Sequence, residues 1–482
     1  MKNIKLIGIT AVLVASITQT LLAQIGRPFL HDPSTVVEDN GKYYSFGTGN
    51  GGIMSDDGWK WTGGAVRPGG GAAPDAMKIG DRFLVTYGAT GGGRDYKGII
   101  YTMWNKTLDP KSPDFKYTEP EIVATSDGYE DNDAIDPSLM LDPTTGKLWL
   151  TYGTYYGFIR LVELDPKTGK RVAGNKPVNV AITCEASALM YHEGWYYLLG
   201  THATCCAGPN STYNIIVGRS KTITGPYMDN VGRSMLEGGG RAVSTSDGNL
   251  IGPGHFGRIM GMEKGVDKMS FHWEADMDMG GRSTLGVRPI VWKNGWPIMG
   301  EIIKAGTYAI QSERRGFGLE LAVDWVQMAT AGGGFGGGGG NAPIKPVPLM
   351  QLADASKAWP TGDIPLRLNE YISRPHQRWT ITPAPDSSGY LGGPYYKIVI
   401  AGTERALTAT ADAEVISVPT FTGAPEQLWR IDQLTDGTFR IMPKAVPNSK
   451  EKLALVSSGD GRATLSKFNM DSDNSKWNFK LQ

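Results

Sequence analysis

Cysteine and histidine are scarce in this chain, and neither sign of charge is in excess. Three cysteines, Cys184, Cys205 and Cys206, are too few to staple 482 residues, and their odd number leaves at least one thiol unpaired. A hydrophobic core must therefore supply the stability. Lys plus Arg and Asp plus Glu both number 48, so no electropositive field attracts nucleic acid or anionic lipid over a distance. A neutral partner suits this balance. Long apolar runs are missing too: Leu6 to Ile17 falls short of the roughly 20 residues that span a bilayer, and no later stretch qualifies. Preceded by a basic start, Met1 to Lys5, and followed by Thr20-Leu-Leu-Ala23 before Gln24, that run reads as a secretory signal over residues 1–23. An exported protein, periplasmic or extracellular in a bacterium, is expected. The glycine-rich stretches lack a following Gly-Lys-Ser/Thr, which dismisses a nucleotide phosphate loop.

What is abundant is glycine, with 65 residues, alongside 20 Tyr, 13 Trp and 13 Phe. That mixture reads as many short strands joined by tight turns, and the length suggests two domains. One unit returns along the first two thirds, a turn dipeptide followed by aromatic or β-branched residues and a small exit. Its copies are Asn40 to Gly47, Gly80 to Gly88, Gly146 to Gly153, Glu193 to Gly200 and Asn294 to Gly300. Each reads as a β-hairpin, and five at this spacing predict the blades of a five-bladed β-propeller. The tract Ala331 to Asn341 is almost all glycine and Pro343 to Pro348 is proline-rich, so a linker is expected at 331–348. This divides the chain into a propeller at 24–330 and a C-terminal domain at 349–482. In the latter, Gln377-Arg-Trp379, Gln427-Leu-Trp429 and Ser475-Lys-Trp477 recur at nearly equal intervals, the mark of a β-trefoil. The fold class is all-β.

The strand before each hairpin turn opens alike: His31-Asp-Pro-Ser34, Ala73-Pro-Asp75, Ile135-Asp-Pro-Ser138, Cys184-Glu-Ala-Ser187. For any one copy, Asp-Pro starting a strand through Asx-turn chemistry is sufficient explanation. Acids at matched positions of successive blades, however, converge on the propeller axis. Glycosidic hydrolysis asks for one carboxylic acid to protonate the departing oxygen and one carboxylate on the opposite face of the sugar. Crowding raises the pKa of the least solvated member of such a group. Glu185, with the longer reach and a less polar setting between Cys184 and Ala186, is the candidate proton donor.

The stretch from His31 to about Gly300 resembles glycoside hydrolase family 43, closest to its arabinanase branch. The matching segments are His31-Asp-Pro-Ser34, Ala134-Ile-Asp-Pro-Ser138, Glu185-Ala-Ser187, Cys205 to Tyr213 with Val217 to Ser220 and Thr224 to Tyr227, and Gly252-Pro-Gly-His255. The resemblance implies that Asp32 is the general base, Glu185 the general acid and Asp136 the residue that tunes and orients that acid, with inversion at the anomeric carbon. It also implies a calcium or other ion facing His255 through water, although a lone His is more often a hydrogen-bonded structural residue and no Asp-x-Asp-x-Asp-Gly calcium loop is present. No cofactor is required for the chemistry. His31, Ser138 and Ser187 flank the acids as candidate sugar contacts. Asp75 suits a sugar hydroxyl or a blade turn equally. Phe271, His272 and Trp273 resemble an aromatic and His cluster of arabinanases and equally fit a core. Ala72 replaces an aromatic residue that in family members often stacks on sugar, and the glycine inserts around Gly69 and Gly91 narrow or widen the groove. Cys205-Cys206 lacks the Cys-x-x-Cys spacing of a redox pair, which favours loop structure near the sugar pocket.

The tail resembles a ricin-type β-trefoil, in which such tryptophans are core and sugar binding is implied by the family. The expected activity is cleavage of α-L-arabinofuranosidic linkages in arabinan or another arabinose-containing plant cell-wall polysaccharide, with the endo-1,5-α-L-arabinanase type favoured. An exo-acting arabinofuranosidase, a β-xylosidase or a galactan-acting relative is the second enzymatic reading, and a non-catalytic glycan-binding protein the third. A monomer is expected.

Overall fold

Glycine turns cut the apolar runs into blade strands of 3 to 14 residues, and each run of four strands folds back on itself as an antiparallel sheet. The computed structural model describes residues 24–49, 51–89, 98–126, 134–323, 355–459 and 461–482. The segment read as a signal, the insert around Gly91 and the tract 331–348 lie outside the described residues.

Five sheets form the propeller. Their innermost strands, in blade order, are Val37–Asp39, Ala72–Ile79, Ser138–Leu141, Glu185–His192 and Leu250–Glu263. A separate apolar cluster fills each gap between blades: Tyr44 and Phe46 against Phe83, Leu84 against Leu139, Met140 against Leu189, Met190 against Met269, and Ile259 against Ile53. The ring closes through the N-terminal segment. Ile25–Gly26 runs parallel to the outer strand of blade 1, while Leu30 N–H donates to Ser283 O at 3.2 Å and Leu285 N–H to Pro28 O at 2.8 Å in blade 5.

The fifth hairpin expected from sequence, Asn294 to Gly300, is the outer hairpin of blade 5, pairing Arg282–Lys293 with Trp296–Met299. The equivalent of the other four turns is Lys264-Gly265, which carries no aromatic signature after it and so escaped the pattern.

The domain boundary also moves. Gly306–Ser312 pairs with Trp477–Leu481 and Trp379–Pro383, and Gly318–Leu321 pairs with Ile364–Asn369. The C-terminal domain therefore begins just after Gly300, not after the glycine tract, which interrupts its first repeat. Threefold equivalence shows in the tryptophans: the indoles of Trp379, Trp429 and Trp477 are buried and donate to Leu319 O, Leu407 O and Leu455 O at 2.8, 2.9 and 2.8 Å. Leu319 completes the first of three matching pairs, which no boundary at 330 allows.

The two domains dock against each other. Gly392 N–H donates to Gly58 O at 3.1 Å, Trp292 N–H to Thr435 O at 2.7 Å, and Thr435 N–H to Gly265 O at 2.9 Å. Buried Lys268 of blade 5 lies 3.4 Å from Asp432, which Arg430 and Arg440 each approach to 2.7 Å. Gly265 closes the far end of blade 5's inner strand and Gly58 lies in the turn between the two outer strands of blade 1 on the same side, so the trefoil covers the propeller face opposite the one where the inner strands begin. Among the described residues the helices are three-residue 3-10 turns apart from one α-helical residue, Ala355, and none is long and apolar enough to cross a membrane.

Candidate active site

Each blade carries a backbone reversal at the same structural position, before or within its inner strand. Asp32, Ala73, Asp136, Ala186 and His255, one per blade, have φ of 50°, 48°, 54°, 47° and 56°. A non-glycine residue in the left-handed region costs of order 1–3 kcal/mol and persists only when its surroundings enforce it. Among the described residues the preceding blade supplies an acceptor at Asp32, Ala73, Ala186 and His255. Asp32 N–H donates to His272 Nδ1 at 2.9 Å, Ala73 N–H to Thr48 Oγ1 at 3.1 Å, Ala186 N–H to Asp136 Oδ2 at 3.1 Å, and His255 N–H to Thr201 Oγ1 at 2.9 Å. Blades 2, 4 and 5 bulge at this point, which re-aims the side chains there.

This register corrects the sequence alignment of acids. Asp32 and Asp136 are equivalent, but Glu185 lies one residue before the reversal and Asp75 two residues after it. The structure nonetheless brings Asp32, Asp136 and Glu185 to one place. Asp136 binds the amide next to Glu185, and His255 sits in the field of Asp32, Asp136 and Asp75. Asp32 Oδ2 accepts from Thr48 Oγ1 at 2.5 Å, and its Oδ1 lies 3.4 Å from His255 Nδ1 and 3.6 Å from His31 Nε2. Burial pushes the Asp32 pKa up, but the His255 hydrogen bond and the charges of His255, His31 and His272 outweigh it and hold the carboxyl well below the usual range. Burial likewise lowers His255, and its bond to Asp32 more than compensates, so its pKa is raised. Glu185 is buried and accepts a hydrogen bond from the Tyr213 hydroxyl.

Several expected sugar contacts are committed elsewhere. Asp75 Oδ1 accepts from Thr35 N and Ala76 N, and Oδ2 from Ser138 Oγ and Leu139 N, all at 2.9–3.1 Å. Its carboxylate is saturated as a clasp between blades 1, 2 and 3, which also occupies Ser138. Ser187 is buried, and its carbonyl accepts from Thr151. Phe271 packs against Trp273 in the core between blades 4 and 5. His272 is fully buried, facing Glu274 Oε1 with Nε2 at 3.2 Å. Alternation along a strand puts His272 and Glu274 on one face and Phe271 and Trp273 on the other, so Phe271, His272 and Trp273 do not share one face. His31 alone of these six, with 37% side-chain exposure, stays open beside Asp32.

Sequence reasoning missed Thr48, Thr201, Tyr213 and Glu274. Tyr213 ends the Cys205 to Tyr213 run, and Thr48 sits between two glycines; neither position announces a carboxylate partner. Arg67, fully buried and stacked 4.7 Å from Tyr87, donates to Gly47 O, Gly49 O and, at 2.6 Å, Gly70 O, pinning both flanks of Thr48 and the Gly69–Gly71 insert. Cys205 and Cys206 are joined to each other, and Cys184 is the buried free thiol, pushed up to about 12 by burial and by Glu185. His31, His272 and Glu274 bring ligand atoms within 4.8 Å of one another, a set that metals use.

Fold and site together define a propeller of the glycoside-hydrolase type carrying a trefoil. Residues 53–297, half of the chain, match the model of glycosyl hydrolases family 43, and the chain belongs to that family. Residues 369–465 match a ricin-type beta-trefoil lectin domain-like model. The chain is 36% identical over 180 residues to an extracellular endo-alpha-(1->5)-L-arabinanase of Bacillus subtilis, covering 36% of this chain and 54% of that protein. It is 31% identical over 199 residues to an extracellular exo-alpha-(1->5)-L-arabinofuranosidase of Cellvibrio japonicus, covering 38% and 57%. These matches span little more than half the length of either relative. A probable arabinan endo-1,5-alpha-L-arabinosidase of Aspergillus oryzae is matched over 90% of its length, and 56% of this chain, at 28% identity. Among solved structures, an exo-1,5-alpha-L-arabinanase from a bovine ruminal metagenomic library aligns with TM-score 0.51 and 32% identity over 57% of this chain and 97% of its own. A Cellvibrio cellulosa alpha-L-arabinanase complexed with arabinohexaose gives 0.51 and 26% over 56% and 95%.

Proposed function

We propose that this protein is an inverting glycoside hydrolase that cleaves α-L-arabinofuranosidic linkages in arabinan or another arabinose-containing plant polysaccharide, acting within the chain. The observation that carries this reading is the linkage of Asp32, Asp136 and Glu185 around His255. Asp32, anionic and oriented by Thr48, draws the proton from a water that attacks the anomeric carbon. Glu185 delivers a proton to the departing oxygen from the other side of the sugar, and Asp136, anchored on Ala186 N–H, keeps Glu185 in place. Water as nucleophile on the face opposite the acid inverts the configuration. The endo preference rests on the endo-acting relatives; exo-acting ones also match.

Calcium takes six to eight oxygens, whereas Asp75 is saturated and the oxygens of Asp32 already face Thr48, His255 and His31. An ion beside His255 would therefore be held through water, with His255, Asp32 and Asp136 turned towards it, and would supply electrostatic stabilisation only. The trefoil would bind polysaccharide on the face away from the cleft, as a lectin-like fold suits, and the protein would act outside the cell as a monomer.

Incubation with linear arabinan, branched arabinan and xylan, with product sizes followed by chromatography, tests the reading. A ladder from linear arabinan is expected. Monomer alone would replace endo by exo action, cleavage of xylan only would move the substrate, and no cleavage of any polymer would favour a glycan-binding protein. Proton NMR of the first-formed anomers is expected to show inversion.

A further inference from the structure

We propose that His272 and Glu274 form a positioning pair that holds the main chain of Asp32 in its left-handed conformation, so that the base's aim depends on a residue that never touches sugar. This rests on Asp32 being the base. Asp32 N–H donates to His272 Nδ1 at 2.9 Å, which uses that nitrogen's lone pair and places the proton of a neutral imidazole on Nε2. Nε2 lies 3.2 Å from Glu274 Oε1, a close approach without hydrogen-bond alignment, with both side chains almost completely buried and neither atom hydrogen-bonded to any other group among the described residues. The other carboxylate oxygen, Oε2, accepts from Cys206 N–H at 3.0 Å, which ties the pair to the loop holding the Cys205–Cys206 disulfide. His31 stacks on His272 with ring centroids 4.7 Å apart, closing the remaining side.

Two observations favour this over a metal held by His31, His272 and Glu274. A metal on Nε2 would need that nitrogen unprotonated while Nδ1 also accepts, which demands an imidazolate. Burial and neighbouring groups instead hold His272 neutral: its pKa is lowered, with desolvation the leading cause and the charge of His31 adding to it, despite Glu274. Glu274 stays below its usual value, because its bond to His272 outweighs burial. The arrangement orients a ring, and the ring orients a backbone.

Replacement series at position 272 test this, with kcat and KM measured on linear arabinan and on an aryl α-L-arabinofuranoside. Asn places an acceptor oxygen where Nδ1 sits, whereas Gln places its terminal group where Nε2 sits. His272→Asn is expected to keep kcat within about tenfold of the parent and His272→Gln to lose about 100-fold on both substrates, the order expected for a displacement near 1 Å. KM is expected to stay unchanged, because the sugar is not touched. Glu274→Leu is expected to fall between them. Equal kcat for the Asn and Gln variants, or a loss confined to KM, would overturn the pair. Asp32→Asn serves as the reference: if it retains turnover on both substrates the base assignment itself fails, whereas an inactive Asp32→Asn beside a fully active His272→Gln refutes only the positioning pair.

Discussion

Ala186 N–H donates to the carboxylate of Asp136 at 3.1 Å, so the peptide that follows Glu185 is fastened to the blade before it. The reversal at Ala186 and the placement of the acid beside it are one structural event. An aspartate in blade 3 thereby fixes the backbone next to a glutamate in blade 4.

Glu185→Gln is expected to abolish cleavage of linear arabinan, by about 10²–10⁴-fold, while sparing an activated aryl arabinofuranoside whose leaving group needs little protonation. Initial rates on the two substrates make the comparison. Equal losses on both would point away from Glu185 as the acid.

Thr48→Val removes the hydroxyl that donates to Asp32 at 2.5 Å. Losing a hydrogen bond to the charged form raises the pKa of a carboxyl group. On the proposal that Asp32 is the base and works as a carboxylate, the acid limb of kcat/KM against pH is expected to move to higher pH, with a loss of about 10- to 100-fold at neutral pH, in line with 1.5–3 kcal/mol for a bond to a charged group. An unchanged acid limb would separate Thr48 from Asp32.

Asp432 is fully buried and serves Lys268, Arg430 and Arg440 at the domain dock. Asp432→Ala leaves buried cations without a counter-charge and is expected to cost about 3–5 kcal/mol in unfolding free energy. Those three cations hold the Asp432 carboxyl well below its usual range against the effect of burial. Its contribution is therefore complete above the unfolded value near ~3.9 and is lost as pH falls towards the folded one. Denaturant titration of both proteins at neutral pH measures the difference.

Lys268 behaves in the opposite sense. Burial pushes its amine down to about 8 despite Asp432. An unfolded lysine titrates near ~10.4, so between about 8 and 10.4 the unfolded chain binds more protons and stability rises with pH. Between pH 7.5 and 9.5 the gain is about 2 kcal/mol relative to Lys268→Met. Urea midpoints at the two pH values check the sign; parallel curves would show that Lys268 titrates normally.

Much of the fold was legible because it repeats. Four hairpin turns, the gly-and-aromatic signature after them and the three tryptophans are local patterns, and local patterns survive in one dimension. The fifth blade was misplaced because the turn at Lys264-Gly265 lacks that signature, while the outer hairpin at Asn294 mimics it. The domain boundary was drawn at the glycine tract because composition marks an interruption without saying which side of it pairs with what. Only the pairing of Gly306–Ser312 with the last strand answers that.

At the site, residue type and motif alone picked out Asp32, Asp136 and Glu185 as acids suited to glycosidic chemistry. The tertiary structure decided which neighbours serve them. Asp75, Ser138, Phe271 and His272 were candidates by chemistry, and geometry turned them into a clasp, a core residue and a support. Thr48, Tyr213 and Glu274 became carboxylate or histidine partners only because separate strands meet near the axis. Sequence encodes what each side chain is able to do, but a hydrogen bond between residues 240 apart, such as that from Asp32 to His272, exists only once five blades have closed into a ring.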